Sequence, residues 1–392
     1  MPWISCQRTG SARGGRGAGD AGGRTARRGA WARGWQGAVC VLAAGALLTS
    51  TAGGATTRGE CARGRPDEFN ALRGINLPQL SFDDRAIPGR LGTNYHVPSS
   101  ASVAYYTGKG MNLIRIAFLW ERLQPTLGGP LDPIYLAHLM SITNQINRRG
   151  AAVLLDVHNG GRYRGKALGS PQVPIRAFAD LWSRLAEMFS GGQVMFGLMN
   201  EPHDQSAADW RSAVDAAIIA IRKTGAKNTI YIMGTDWGNP VSWMDRNAEL
   251  MSGIKDSNFV YEFHQYLDDD GGGRTPVCKD AAQSVARLTK TTEWLRRTGT
   301  RGFIGEIGIG ANAQCYASLS AVLSFLQANR DVWLGWAYWA GGQGWGDYFT
   351  SLEPRSGSRD APQMAILEKF MPCRDDDDAR LPSLQPPARS SR

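Results

Sequence analysis

Two glutamates carry the strongest chemical signal in the chain. Glu201 closes the apolar run of FGLMNEPH, Phe196–His203, and Glu306 lies in GFIGEIGIG, Gly302–Gly310. Both runs read as buried strands, and a carboxylate at the end of a buried strand is costly unless it is paired or used for chemistry. Two facing carboxylates are the equipment for opening a glycosidic bond. Glu201 and Glu306 stand about a hundred residues apart, so they meet only if the fold gathers strand ends, as a barrel of parallel strands does.

The elements that would gather them are legible as an alternation. Apolar runs at 71–77, 112–119, 151–158, 194–200, 229–234, 259–265, 302–306 and 332–339 read as eight strands. Most are near-continuously apolar, as expected of parallel strands covered on both faces. Helical patterns lie between them. Asp132-Pro133 starts one that carries Leu136, Leu139, Thr143 and Ile146 at helical spacing and stops at Gly150. Phe178, Leu181, Trp182, Leu185 and Phe189 mark a second, and Trp210, Val214, Ala217, Ile218 and Ile221 a third. Leu319, Val322, Leu323 and Leu326 mark another, and Met364, Leu367 and Phe370 close the domain. The expected fold class is therefore α/β, a single (β/α)8 TIM barrel over residues 56–373. An open doubly wound sheet would announce itself with a glycine fingerprint after the first strand, which Gly74-Ile75-Asn76 does not supply.

The active site of such a barrel is built at the C-terminal ends of its strands. Read in order, those ends give Arg115, His158 with Asn159, Asn200-Glu201, Asp236-Trp237, His264 and Tyr266, Glu306, and Trp339. A purely structural core does not predict that gathering of polar and aromatic residues. The ordered set resembles glycoside hydrolase family 5, the retaining cellulases and related β-glycanases. That family places an Arg, a His, an Asn-Glu pair, a His and Tyr, a second Glu and a Trp on successive strand ends. The resemblance runs from about Phe69 to Cys373; DVHN, FGLMNEPHD, FHQYLDDD and residues 332–348 look most like the endoglucanase branch.

The resemblance implies that Glu201 is the acid/base and Glu306 the nucleophile. Arg115 and Tyr266 would keep Glu306 ionised, leaving Glu201 the protonated carboxyl at rest. Asn200 would meet the sugar 2-hydroxyl, and His158, Asn159 and His264 would orient hydroxyls or the acid/base. Trp339 would offer a flat face to a pyranose ring; Trp237, Trp120, Tyr163 and Trp345 are candidates for further sugar subsites, weighed against ordinary packing. His96 and His203 read as local hydrogen-bond partners. The implied activity is that of a secreted endo-β-1,4-glucanase acting on β-glucan as a monomer, with no cofactor and no metal. A β-mannanase or another β-glucanase on the same fold is the alternative within the class. A non-catalytic carbohydrate-binding protein on this scaffold is the alternative outside it.

The leader pattern and the cysteines predict a chain exported from the cell. Of the net +9, +6 belongs to residues 1–55, which hold seven Arg and one Asp, so the rest carries only +3 and no nucleic-acid footprint is expected. Arg24, Arg27, Arg28 and Arg33 precede an apolar stretch from Ala38 to Leu48 and then small residues, the pattern of a secretory leader. Arg27-Arg28 matches a twin-arginine signal poorly, periplasmic delivery is a variant of the same reading, and an uncleaved anchor is the alternative; the mature form is expected to hold no membrane segment. Beyond the leader, Cys61, Cys278, Cys315 and Cys373 allow three pairings. Cys278–Cys315 would staple neighbouring loops, and Cys61–Cys373 would tie the ends of the domain. Residues 374–392, with Asp375–Asp378, read as an acidic, Pro-rich tail. Gly160–Lys166 fits a phosphate-loop pattern, but Ala167 stands where a Ser or Thr would hold magnesium.

Overall fold

The computed structural model describes residues 71–354 and 359–371. The leader, the tail and the expected Cys61–Cys373 pair lie outside the described residues. Eight parallel strands close into a barrel in which each pairs with its sequence neighbours and the last returns to the first. They are β1 (Leu72–Asn76), β2 (Leu113–Phe118), β3 (Ala152–Val157), β4 (Val194–Gly197), β5 (Ile230–Met233), β6 (Phe259–His264), β7 (Gly302–Ile307) and β8 (Trp333–Tyr338). All eight match the expected runs.

Around them lie α1 (Ser100–Gly108), α2 (Pro133–Arg148), α3 (Ile175–Met188), α4 (Ala207–Lys223), α5 (Ala281–Thr298), α6 (Ala313–Ala328) and the short α7 (Met364–Leu367). Two single turns, Trp243–Arg246 and Ala248–Met251, stand where the helix after β5 belongs. The sequence pattern misses α1 and α5 for one reason. Their buried faces include Ser102 and Thr107 in α1, and Ser284, Thr291 and Thr292 in α5, so the apolar stripe is diluted. Among the described residues no helix is long and apolar enough to cross a membrane.

The strands separate two cores, because alternate side chains point to opposite faces. Outward residues such as Ile114, Val153, Phe196 and Ile232 pack against the helices. Inward, Leu72, Leu113, Ala152, Leu154, Met195, Tyr231, Val260, Phe303 and Ala337 fill the floor of the barrel. Above that floor the inward positions turn polar: Asn76, Arg115, Asp156, Glu262, His264 and Glu306, all buried. Tryptophan N–H groups fix helices to the strand ends, Trp182 to the carbonyl of Leu198 (3.1 Å) and Trp210 to that of Met233 (2.7 Å). Gly160–Lys166 forms no phosphate loop. Arg162–Tyr163 pairs with Lys166–Ala167 as a hairpin, and Arg164 and Gly165, both at positive φ, make its turn.

β7 departs from simple alternation. Phe263 pairs with Ile304 while His264 pairs with Glu306, so Gly305 is an extra residue in the ladder. Ile304 and Ile307 consequently both face the outer core, and Glu306 is carried to the axis. Only glycine fits there, since an added Cβ would stand 2.0 Å from Glu262 Oε1.

α2 begins as the sequence indicates, with Asp132 Oδ1 accepting from the N–H groups of Ile134 (3.0 Å) and Tyr135 (2.8 Å). Asp132→Ala should therefore cost about 1 kcal/mol of stability in urea unfolding. It should leave turnover near normal, because Asp132 bonds to none of the residues gathered around Arg115.

Candidate active site

Arg115 is the centre of the polar layer. It is fully buried, and each of its nitrogens lies close to a side-chain oxygen, Nε as an ion pair only. Nε meets Glu262 Oε1 at 2.9 Å, and Nη1 donates to Asn76 Oδ1 at 2.9 Å and to Glu306 Oε1 at 3.2 Å. Nη2 donates to Asn200 Oδ1 at 2.8 Å and lies 3.1 Å from Asp156 Oδ1. Burial disfavours the cation, yet the surrounding carboxylates outweigh it and raise its pKa further. The guanidinium fork thus orients residues from β1, β3, β6 and β7, and from the segment just past β4, at once.

Glu306 is held at both oxygens, Oε1 by Arg115 and Oε2 by the Tyr266 hydroxyl at 2.6 Å. Glu201 is presented differently. It sits just past β4 at a left-handed φ of 43°, a conformation that costs energy and clusters at functional sites. Its side chain is 29% exposed, against 5% for Glu306. His264 Nδ1 lies 2.7 Å from Glu201 Oε1 and 3.5 Å from Glu306 Oε2. One ligand atom from each of Glu201, His264 and Glu306 falls within 4.8 Å of the others. This trio is also a set of donors that could hold a metal ion. Arg115 and Tyr266 already occupy Glu306, and a fixed positive charge beside it disfavours a second cation there.

The two carboxyls are pushed in opposite directions. Burial and the charge of Glu201 push Glu306 above the ordinary carboxylate value, in spite of His264 and Arg115. Burial also works against ionised Glu201, but the His264 hydrogen bond and charge outweigh it and hold Glu201 low. Burial opposes the imidazolium as well; Glu306, Glu201 and Glu262 overcome it and lift His264 to about 10. The shifts thus favour a proton on His264, one hydrogen bond of 2.7 Å from Glu201.

The other expected residues divide into two groups. His158 joins the site: Nδ1 is 2.7 Å from Asp156 Oδ2, Nε2 faces Asn200 Nδ2 at 3.5 Å, and its ring stacks on Trp339 at 5.5 Å. Trp339 is flanked edge-on by Trp345, which contacts Phe82 and Tyr348. Trp237 is 42% exposed and stacked on His203. Asn159 turns away instead, accepting from Trp120 N and donating to Glu121, so it fixes the loop after β2. Trp120 and Tyr163 are buried and pack on each other. His203 accepts the local role expected of it, with Nδ1 2.8 Å from the carbonyl of Glu201.

Asn76, Asp156 and Glu262 escape the sequence reading although they surround Arg115. A signal existed: Asp156 and Glu262 each interrupt an apolar strand two residues before a site histidine, hence on the same face. Cys278 and Cys315 are joined as expected, with Cα atoms 5.1 Å apart.

The chain has clear relatives. Residues 70–342 match the model of the family described as Cellulase (glycosyl hydrolase family 5). It is 37% identical over 303 residues to a probable endo-β-1,4-glucanase B of Neosartorya fischeri, covering 76% of this chain and 91% of that one. Among solved structures it resembles XacCel5A in complex with cellopentaose, at TM-score 0.76 and 41% identity, covering 77% of this chain and 99% of that one. It also resembles the endoglucanase Cel5A of Pseudomonas stutzeri in complex with cellobiose, at TM-score 0.72 and 35% identity, covering 77% and 92%.

The elevated His264 has a measurable consequence. Its folded-state value near 10 lies above the ordinary 6.5, so its stabilisation is complete below about pH 6.5 and lost as pH rises through about 10. Urea unfolding between these values should show stability falling with pH. In His264→Gln that slope should flatten, and an unchanged slope would remove His264 as its source.

Proposed function

Because the chain belongs to glycosyl hydrolase family 5 and is a glycoside hydrolase of the endoglucanase kind, we propose that it cleaves internal β-1,4-glucosidic bonds by double displacement after export from the cell. The observation that carries the mechanism is the approach of Glu201 and Glu306 to within 4.8 Å. Retaining pairs stand roughly 5–5.5 Å apart, whereas inverting pairs leave about 6.5–9.5 Å for a water.

In the first step a Glu306 oxygen attacks the anomeric carbon as the bond to the leaving oxygen breaks. Glu201 delivers a proton to that oxygen, with its carboxyl oriented by the hydrogen bond to His264. The resulting glycosyl ester on Glu306 is then opened by water, whose proton returns to Glu201. Arg115 and Tyr266 donate to Glu306 before substrate arrives, so no reorganisation is needed as its charge changes. Asn200 has its oxygen fixed by Arg115, which leaves its amide N–H for the sugar 2-hydroxyl. Trp339, half-buried, and Trp237, 42% exposed, offer ring faces to pyranose rings. The carboxylates and these fixed donors suffice for the chemistry without a cofactor or metal. The leader pattern and the Cys278–Cys315 bridge support an extracellular destination.

Product analysis tests the substrate. Carboxymethylcellulose and mixed-linkage glucan should be cut to oligosaccharides, while turnover of mannan in preference to glucan would replace the glucanase reading. Glu306→Gln should lower kcat by at least about 1,000-fold while still binding cello-oligosaccharides; near-normal activity would remove Glu306 as nucleophile. Glu201→Ala should slow substrates with poor leaving groups far more than aryl glycosides with good ones, because acid assistance matters least when the departing oxygen is already a stable anion. Equal losses on both would count against the acid/base assignment.

A further inference from the structure

Tyr266 places its hydroxyl on Glu306, and its ring is fixed from a direction the catalytic set does not explain. Two glycines press on that ring. A Cβ added to Gly273, at a positive φ of 68°, would stand 2.6 Å from it, and one added to Gly308 would stand 3.1 Å from it. Gly273 belongs to the loop after β6, and the shape of that loop is set by Asp268. The residue is 3% exposed. Oδ1 accepts from the N–H of Gly273 (3.0 Å), and Oδ2 accepts from those of Arg274 (2.7 Å) and Thr275 (3.2 Å). Arg287 adds bonds to the carbonyls of Tyr266 and Asp268. The end of the loop is anchored by the Cys278–Cys315 bridge and by Lys279 N donating to the carbonyl of Leu267 (2.7 Å).

We propose that Asp268 is a positioning residue for the reaction, winding the 268–275 loop so that Gly273 seats the Tyr266 ring and aims its hydroxyl at Glu306. The inference rests on the role given to Tyr266 and Glu306 above. A carboxylate with three backbone N–H donors fixes a turn far more tightly than its neutral amide can, because the amide nitrogen would face donors and accept nothing. The lever is short: Asp268 sets the N–H of Gly273, Gly273 touches the ring, and the ring carries the hydroxyl. Displacement of that hydroxyl by a fraction of its hydrogen-bond length withdraws one donor from the nucleophile.

The experiment is a double-mutant cycle on the whole chain, read as kcat and KM on cellopentaose with thermal unfolding alongside. Asp268→Asn should lower kcat between about tenfold and about a hundredfold, with KM within about twofold. The acidic limb of kcat/KM should move to higher pH, because Glu306 loses a donor to its ionised form. In a Tyr266→Phe background the same substitution should have almost no further effect on kcat, since the group it aims is gone. Independent, multiplying losses would overturn the proposal, as would an unchanged kcat in folded Asp268→Asn. If Asp268→Asn fails to fold, Gly273→Ala decides by the same split and the same cycle, because it drives a Cβ at the ring while keeping the three N–H donors. If Tyr266→Phe alone leaves kcat and the pH profile unchanged, the fault lies in the role assigned to Tyr266 rather than in the loop.

Discussion

A single buried cation organises this protein. Arg115 stands at the axis of the barrel with no exposure and contacts Asn76, Asp156, Asn200, Glu262 and Glu306. Taking a guanidinium out of water is expensive, and so is taking out each of the carboxylates around it. Neither half of the arrangement is tolerable alone, which makes the group all-or-none. A barrel suits it, because only a closed ring of strands delivers carboxylates and amides from so many directions to one point.

The cost of that polar layer explains how the rest of the molecule is distributed. The floor beneath it is wholly apolar, and the far larger apolar cluster lies outside the strands, under the helices. Stability is therefore supplied mainly by the helix–sheet interface, at roughly 25 cal/mol per Å² of apolar surface removed from water. The upper interior is free to be chemically demanding. His264 is the clearest case: it belongs to the barrel by position and to the acid pair by charge, and the glutamates around it raise its proton affinity where burial alone would lower it.

Much of this was legible in the sequence, for identifiable reasons. The strands of a parallel barrel are apolar on both faces, so their runs stand out, and all eight appear. The ordered strand-end residues follow from that placement, and eight of the expected side chains do gather: Arg115, His158, Asn200, Glu201, His264, Tyr266, Glu306 and Trp339. Three kinds of feature escaped. α5 hides because its buried face uses Ser284, Thr291 and Thr292 in place of aliphatic residues. Asp156 and Glu262 hide because single charges inside apolar runs look like interruptions, when they are counter-ions for a partner on another strand. Asn159 and the proton distribution could not be read at all. The first depends on which way a loop amide turns, and the second on three titratable groups whose charges reinforce or oppose one another only at their final separations.

The extra residue in β7 has an implication for how this site can change. Gly305 is inserted in the ladder, and its neighbours on either side obey opposite parity. The location of Glu306 is thus a matter of counting. Moving the glutamate one place along, or deleting a residue to regularise the strand, would send the carboxylate into the aliphatic layer under the helices. Chemically conservative edits near the nucleophile are accordingly the ones most exposed to failure by frame. The safer ground for reshaping specificity is the rim, where Trp237 and Trp345 ride on loops that the ladder does not number.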